Sequence, residues 1–292
     1  MMERPSQSFI ALLRKPVAYT HSSRHLLWCL LLAEIALHLS LVWSSQQLDL
    51  WSASCLFWLA ALAALWQRRS ALRQQLQSSR VAIALGTFLL AWLLFKSFVV
   101  YDADVYLRLY PLFASLSVCL ISSGFSGLRQ YAVPLQLVVF LAVPWELLYW
   151  LDLTQLTANT AEFLLGVLGY SVTHRGASIA LPNAAIEIYD GCSGVKLIAQ
   201  LLSFTWIYVC LRAPRLGDRV LAIVGASTIG FFINAFRVAA IAILNNAANF
   251  DALAFWHYGR GSLLIPAVAA GLYGIFLWQL NQRSPRTQAS TL

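Results

Sequence analysis

Apolar residues fall in long runs along most of this chain, broken by short polar segments that carry most of its arginines. Eight runs stand out, at about 26–43, 48–66, 81–100, 109–125, 131–151, 194–212, 220–244 and 261–280. A helix rises about 1.5 Å per residue, so each run comes close to or exceeds the length needed to cross a hydrocarbon core of about 30 Å. Continuous runs of this kind are spanning helices. Barrel strands alternate over about ten residues instead. The pattern predicts an all-α polytopic membrane protein with about eight transmembrane helices. The largest gap is about 40 residues, which leaves no room for a soluble domain and gives a single membrane domain over residues 1–292.

Composition agrees. The chain is 60% hydrophobic and 11% charged, against about 25% charged in soluble domains. Residues 1–24 are polar, the first apolar run is span-length, and no small-residue cleavage site follows it. The N-terminus therefore does not read as a cleavable signal peptide. A net charge of +8 would suit a nucleic acid or an anionic surface, but its distribution says topology instead. With the N-terminus in the cytoplasm, the inside segments hold fourteen of the twenty Lys and Arg residues. The outside segments hold only Arg108, Arg175 and Arg260, while Lys96, Lys196 and Arg237 lie within spans. That bias puts both termini inside and leaves nucleic acid without support as a partner.

The outside segment 152–193 is the longest connection. Its first half places apolar Phe163, Leu164, Val167 and Leu168 beside polar Asn159, Thr160 and Glu162. This predicts a short helix over 157–170, lying in the membrane interface. In its second half, two short alternating runs flank Pro182-Asn183 and predict a β-hairpin. The hairpin leads straight into Asp190-Gly191-Cys192-Ser193-Gly194.

Arg237 sits inside the apolar run 223–244. A charge in a spanning helix costs about 2.5–3.5 kcal/mol on insertion scales and by default marks function. Arg237 is about 25 Å along span seven, near the outer surface. Cys192 at the mouth of span six and His257 ahead of span eight fall at the same face. A helix N-terminus and nearby cations favour a thiolate at Cys192, and Lys196 would share its helical face. A thiolate is a nucleophile, a histidine its base, and a guanidinium an oxyanion stabiliser or carboxylate clamp. Asn234 lies one turn from Arg237 on the same face, and Arg260 is a helper or substitute for His257. Each residue also has a plainer reading. Cys192 would be a boundary cysteine in a tight turn, with Lys196 snorkelling. Arg237 would pair with Asp190 or Glu187, and His257 would belong to an aromatic belt with Trp256 and Tyr258.

Other features change less. Cys29, Cys55, Cys119 and Cys210 fall in spans and read as buried hydrophobes, with no disulfide framework or metal-binding spacing. Glu34 and His38 are spaced to satisfy each other in span one, and Glu146 and Lys96 read as packing partners or snorkelling groups. Ser193 is a rival nucleophile, intrinsically weaker than cysteine. No metalloprotease motif and no phosphate loop is present, so neither a metal nor another cofactor is expected. A reading from another class remains: a transporter or accessory subunit for surface-polymer export, with Arg237, Glu34 and His38 lining a pathway.

Taken together, these residues resemble the exosortase/archaeosortase family of membrane-embedded cysteine transpeptidases, and within it a cyanobacterial-type exosortase. The resemblance is clearest from about residue 163 to 261. It rests on Gly191-Cys192-Ser193-Gly194, on Asn234-Ala235-Phe236-Arg237 and on His257. It implies Cys192 as nucleophile and Arg237 as charge partner. His257 would occupy a third site, where archaeal relatives often carry arginine. It also implies a catalytic portion at about 157–265, in a bacterial inner membrane. The partners it implies are exported proteins ending in a Pro-Glu-Pro type motif, a transmembrane helix and a basic tail.

Overall fold

The structure is a computed structural model that describes residues 16–18, 21–74, 77–99, 104–143, 148 and 150–283. Arg4, Arg14, Lys15, Asp102, Glu146 and Arg286 lie outside the described residues. The chain is a multi-pass helical membrane protein. Among the described residues, seven helices are long and apolar enough to cross a membrane. Spans one to three and six to eight of the sequence reading each match one of them. Spans four and five fall in a single stretch, Asp104–Leu141. That stretch is broken at Gly124, whose φ of 63° and ψ of −170° belong to glycine alone. The helix ahead of the break already begins at Asp104, so the polar gap expected up to residue 108 is shorter than it reads. Arg108 bonds back to Asp104 at 2.8 Å, one turn away. The expected fifth span, 131–151, is helical over Ala132–Leu141.

The chain divides into two compact units, Met1–Pro144 and Trp145–Leu292. The first contains α1 (His21–Ser44), α2 (Leu48–Gln67), α3 (Arg69–Gln74), α4 (Arg80–Val99), α5 (Asp104–Gly127) and α6 (Ala132–Leu141). A two-stranded antiparallel ribbon joins β1 (Pro16–Ala18) to β2 (Gln77–Ser79). Helix α5 is the axis, packed by α1, α4 and α6, while α6 also lies on α2. Buried polar groups tie these helices together. Glu34 and His38 do not pair with each other as their spacing predicts. The Tyr110 hydroxyl donates to Glu34 at 2.7 Å. The Trp58 indole donates to Nδ1 of His38 at 3.1 Å, so Nε2 carries the proton and donates to the Leu107 carbonyl at 2.9 Å. Tyr110 stacks on the imidazole, which makes α5 the nearer partner for both side chains.

The second unit contains α7 (Thr154–Val167), α8 (Val195–Arg212), α9 (Leu216–Asn246), α10 (Phe250–His257) and α11 (Leu264–Arg283). The expected hairpin is present as β4 (Ser178–Ala180) and β5 (Ala185–Glu187), with Ile179 opposite Ile186. A third strand, β3 (Thr173–Arg175), pairs antiparallel with β4. One core joins α7, the sheet and α9 through Ala158, Ala161, Leu165, Ile179, Ile188, Val238 and Ala242, and Cys192 belongs to it. The alanines let α7 and α9 approach closely, and the alternation of β4 turns Ile179 inward. Phe163, Val167 and Leu168, the residues that announced α7 in the sequence, point away from that core and are exposed. A second core packs α8, α9 and α11 around Leu201, Ala226 and Tyr273.

Candidate active site

Cys192 lies in the turn between β5 and α8. Residues Asp190–Cys192 form a single 3-10 turn, closed by the Cys192 N–H donating to the Tyr189 carbonyl at 2.8 Å. Helix α8 starts only after Gly194, whose φ of 94° is left-handed. A side chain at 194 would also meet Asn234, with Nδ2 at 3.1 Å from an added Cβ. Cys192 is thus outside the helix, and the one-face relation to Lys196 expected of a continuous helix does not apply. Lys196 sits half-buried in the first turn of α8.

Two side chains fix the turn from outside and one from within. Asn234, buried on α9, donates its amide to the Cys192 carbonyl at 2.7 Å. Thr157, fully buried on α7, donates its hydroxyl to the Ser193 carbonyl at 2.8 Å. Ser193 donates its own hydroxyl back to Asp190 at 2.7 Å and is 2% exposed. That bond and burial give Ser193 a turn-stabilising place rather than that of a nucleophile.

His257 ends α10, a short helix capped by the Asn249 side chain. Its Nε2 stands 3.8 Å from Cys192 Sγ. Burial, and next the charge of Arg237, hold its pKa below the ordinary imidazole range. A neutral ring with its proton on Nδ1 leaves Nε2 free to accept from the thiol. Tyr258 packs edge-on against the imidazole, with centroids 4.0 Å apart.

Arg237 is half-buried on α9, one turn beyond Asn234. Among the described residues it forms no ion pair with Asp190 or Glu187, the partners considered for it. Its charge acts on both His257 and Tyr189. Arg260 is exposed in the 3-10 turn Arg260–Leu263, just after the helix that ends at His257.

The sequence reading missed Thr157 and Tyr189. Thr157 carries no signal in a sequence, being one threonine in an amphipathic helix. Tyr189 has a weak one, since it sits three residues before the thiol in a turn. Cys192 beside it raises its pKa first, followed by burial and Tyr258, with Arg237 pulling the other way. Among the described residues, no group of three or more His, Cys, Asp or Glu side chains is placed to hold a metal ion. The assembled chemistry is a thiol beside an imidazole nitrogen, with a guanidinium and a phenol in the same electrostatic neighbourhood.

No curated protein and no solved structure matches the chain. A family model described as transmembrane exosortase matches residues 17–274. The match runs from the first described strand into the last helix and takes in Cys192, Arg237 and His257, so the chain belongs to the transmembrane exosortase family.

Proposed function

We propose that this protein is a membrane-embedded cysteine protease and transpeptidase that removes a C-terminal sorting signal from exported proteins. The observation that carries the reading is the 3.8 Å approach of Cys192 Sγ to His257 Nε2 across 65 positions of sequence. Thiol-to-imidazole proton transfer is what turns a cysteine into a nucleophile.

The reaction runs in two halves. The Cys192 thiol gives its proton to His257 Nε2, and the sulfur attacks the scissile carbonyl carbon. Arg237 stabilises the thiolate or the oxyanion that forms. The C–N bond then breaks, the proton on His257 passes to the leaving amine, and a thioester remains on Cys192. An amine acceptor or water next gives a proton to His257 and attacks the thioester. The thiolate leaves and takes that proton back. Asn234, Thr157 and Ser193 hold the Cys192 turn. Lys196 and Arg260 add positive charge to the surroundings.

The substrate would carry a Pro-Glu-Pro type motif, a transmembrane helix and a basic tail. Its helix fixes it in the bilayer and its tail stays inside by the same charge rule that orients the enzyme. The motif is then at the outer surface, where the arginine bias of the loops puts Cys192. The catalytic portion, about 157–265 within one membrane domain, would act in a bacterial inner membrane with both termini cytoplasmic. The bonding of Glu34 and His38 counts against the transporter reading. Both ring nitrogens of His38 are engaged and the residue is fully buried, so it lines no open pathway.

The test is co-expression of a tagged candidate substrate with the wild-type protein and with Cys192→Ala. Wild type shortens the substrate and the variant leaves it full-length. Shortening that persists without the thiol would overturn the reading.

A further inference from the structure

A stripe of side chains on α2 bounds a cavity inside the first unit. Trp58, Ala61, Leu62, Leu65 and Trp66 follow one another at helical spacing along one face of α2. Leu31 of α1, Val118 of α5 and Leu135 of α6 close the other sides. The cavity measures about 170 Å³, more than the roughly 150 Å³ of an apolar cavity that admits benzene. Two polar groups in its wall are engaged by protein. The Trp58 indole donates to His38 at 3.1 Å, and the Tyr131 hydroxyl bonds to Ser123 at 2.8 Å. The wall that remains is mostly apolar, which suits a hydrocarbon occupant rather than water. Trp28 and Trp66 belong to the lining and are exposed, so the cavity opens at the surface of the bundle.

The mouth carries charge. Helix α2 ends at Gln67 and α3 starts at Arg69. The break lays the Arg69 guanidinium over the Trp66 ring, with Cζ 4.5 Å from its centroid. Its Nη1 donates to the Trp66 carbonyl at 2.9 Å. Most of the donors of the fork are left over, and among the described residues no carboxylate pairs with Arg69 or lines the cavity. Arg68 beside it is also exposed. From Trp58 to Trp66 the stripe runs about 12 Å, and Arg69 stands about one turn beyond. That depth is close to one leaflet, half of a hydrocarbon core of about 30 Å.

The geometry points to a binding site for one anionic phospholipid of the cytoplasmic leaflet, with an acyl chain in the cavity and its phosphate on Arg69. The arginine bias of the connections puts this mouth at the cytoplasmic face. A planar guanidinium backed by Trp66 presents paired donors to phosphate oxygens. The positive charge of Arg68 and Arg69 favours a headgroup of net negative charge over a zwitterionic one, as in other basic pockets between spanning helices. The cavity supplies what a headgroup contact alone lacks, a fixed place for the chain.

The experiment titrates the full-length protein in mild detergent with phosphatidylglycerol and with phosphatidylcholine of the same chains. Native mass spectrometry counts the bound lipid. One phosphatidylglycerol should bind about tenfold more tightly than phosphatidylcholine. Arg69→Gln changes an exposed side chain, leaves the fold intact and should remove most of that difference. Ala61→Phe fills the cavity and should weaken both lipids. Glycerol phosphate, which has the anionic group and no chains, should displace neither lipid in large excess, whether or not Ala61→Phe folds. Equal affinity for the two lipids, a preference that survives Arg69→Gln, binding unchanged in a folded Ala61→Phe protein, or displacement by glycerol phosphate would overturn the inference.

Discussion

The Asn234 amide on α9 donates to the carbonyl of Cys192 at 2.7 Å, so the helix that carries Arg237 also grips the turn that carries the thiol. Asn234 is 3% exposed. Asn234→Leu keeps the volume and leaves a buried carbonyl unpaired, which costs about 1–3 kcal/mol. The expected outcome is a lowered melting temperature in detergent, together with processing at least about tenfold slower. Full activity in this variant would show that the grip is not what places the sulfur.

Gly194 is the other half of that grip. Its φ of 94° is one an L side chain rarely adopts, and the left-handed region costs about 1–2 kcal/mol for alanine. Crowding adds to this, because Asn234 Nδ2 lies 3.1 Å and Cγ 3.3 Å from the added methyl. The two substitutions should therefore not be additive. Gly194→Ala should destabilise the wild-type protein by more than it destabilises Asn234→Ala, where the Nδ2 and Cγ contacts are gone. Denaturation of the four proteins of that cycle measures the difference, and strict additivity would assign the whole cost to the backbone.

The legible parts of this protein were those written in long runs or in fixed chemical types. Apolar length predicts a polytopic helical protein of about eight spans, and seven helices among the described residues are long and apolar enough to cross a membrane, because lipid imposes one solution on the backbone. The hairpin followed from Pro182-Asn183 between alternating runs, and the approach of Cys192 to His257 from placing both at one end of neighbouring spans. What was not legible depends on side chains meeting across elements. Glu34 and His38 have the spacing of a pair, yet Tyr110 and Leu107 on α5 offered them better partners. Strand β3 is three residues long and too short to show a period. Thr157 contributes one hydroxyl to a turn 36 positions away. The break at Gly124 falls at the expected end of span four, but its positive φ depends on one glycine that the run itself does not single out.

His257 should titrate below an exposed histidine, with a definite dependence on Arg237. Burial and the guanidinium both favour the neutral ring, so the folded value lies below the unfolded one. Above the unfolded value the ring is neutral in either state. Between the two values only the folded protein keeps it neutral, and below the folded value it is protonated in both. Arg237→Met removes one of the two causes and should raise the midpoint, while Arg237→Lys retains the charge and should hold it nearer wild type. Carbon-13 resonances of labelled histidine, followed from pH 4 to 8, report this directly. A midpoint that falls or stays fixed in the methionine variant would show that the charge of Arg237 does not reach the ring.

The two arginines at this face should behave differently. Arg237 is half-buried and acts on both His257 and Tyr189. Arg260 is exposed, and solvent screens a charge held there. On the proposed role, Arg237→Ala removes a half-buried charge that acts on His257. Losing one such electrostatic partner costs about a hundredfold or more in turnover. Arg260→Ala should stay within about threefold of wild type, the range of a screened surface charge. Adding salt should narrow the Arg260 difference and leave the Arg237 one nearly unchanged, because only the exposed charge is screened. Processing rates of both variants at low and high salt make the comparison. Equal losses, or a larger loss for Arg260, would move the stabilising charge to the 3-10 turn after His257 and require that turn to close over the thiol when substrate binds.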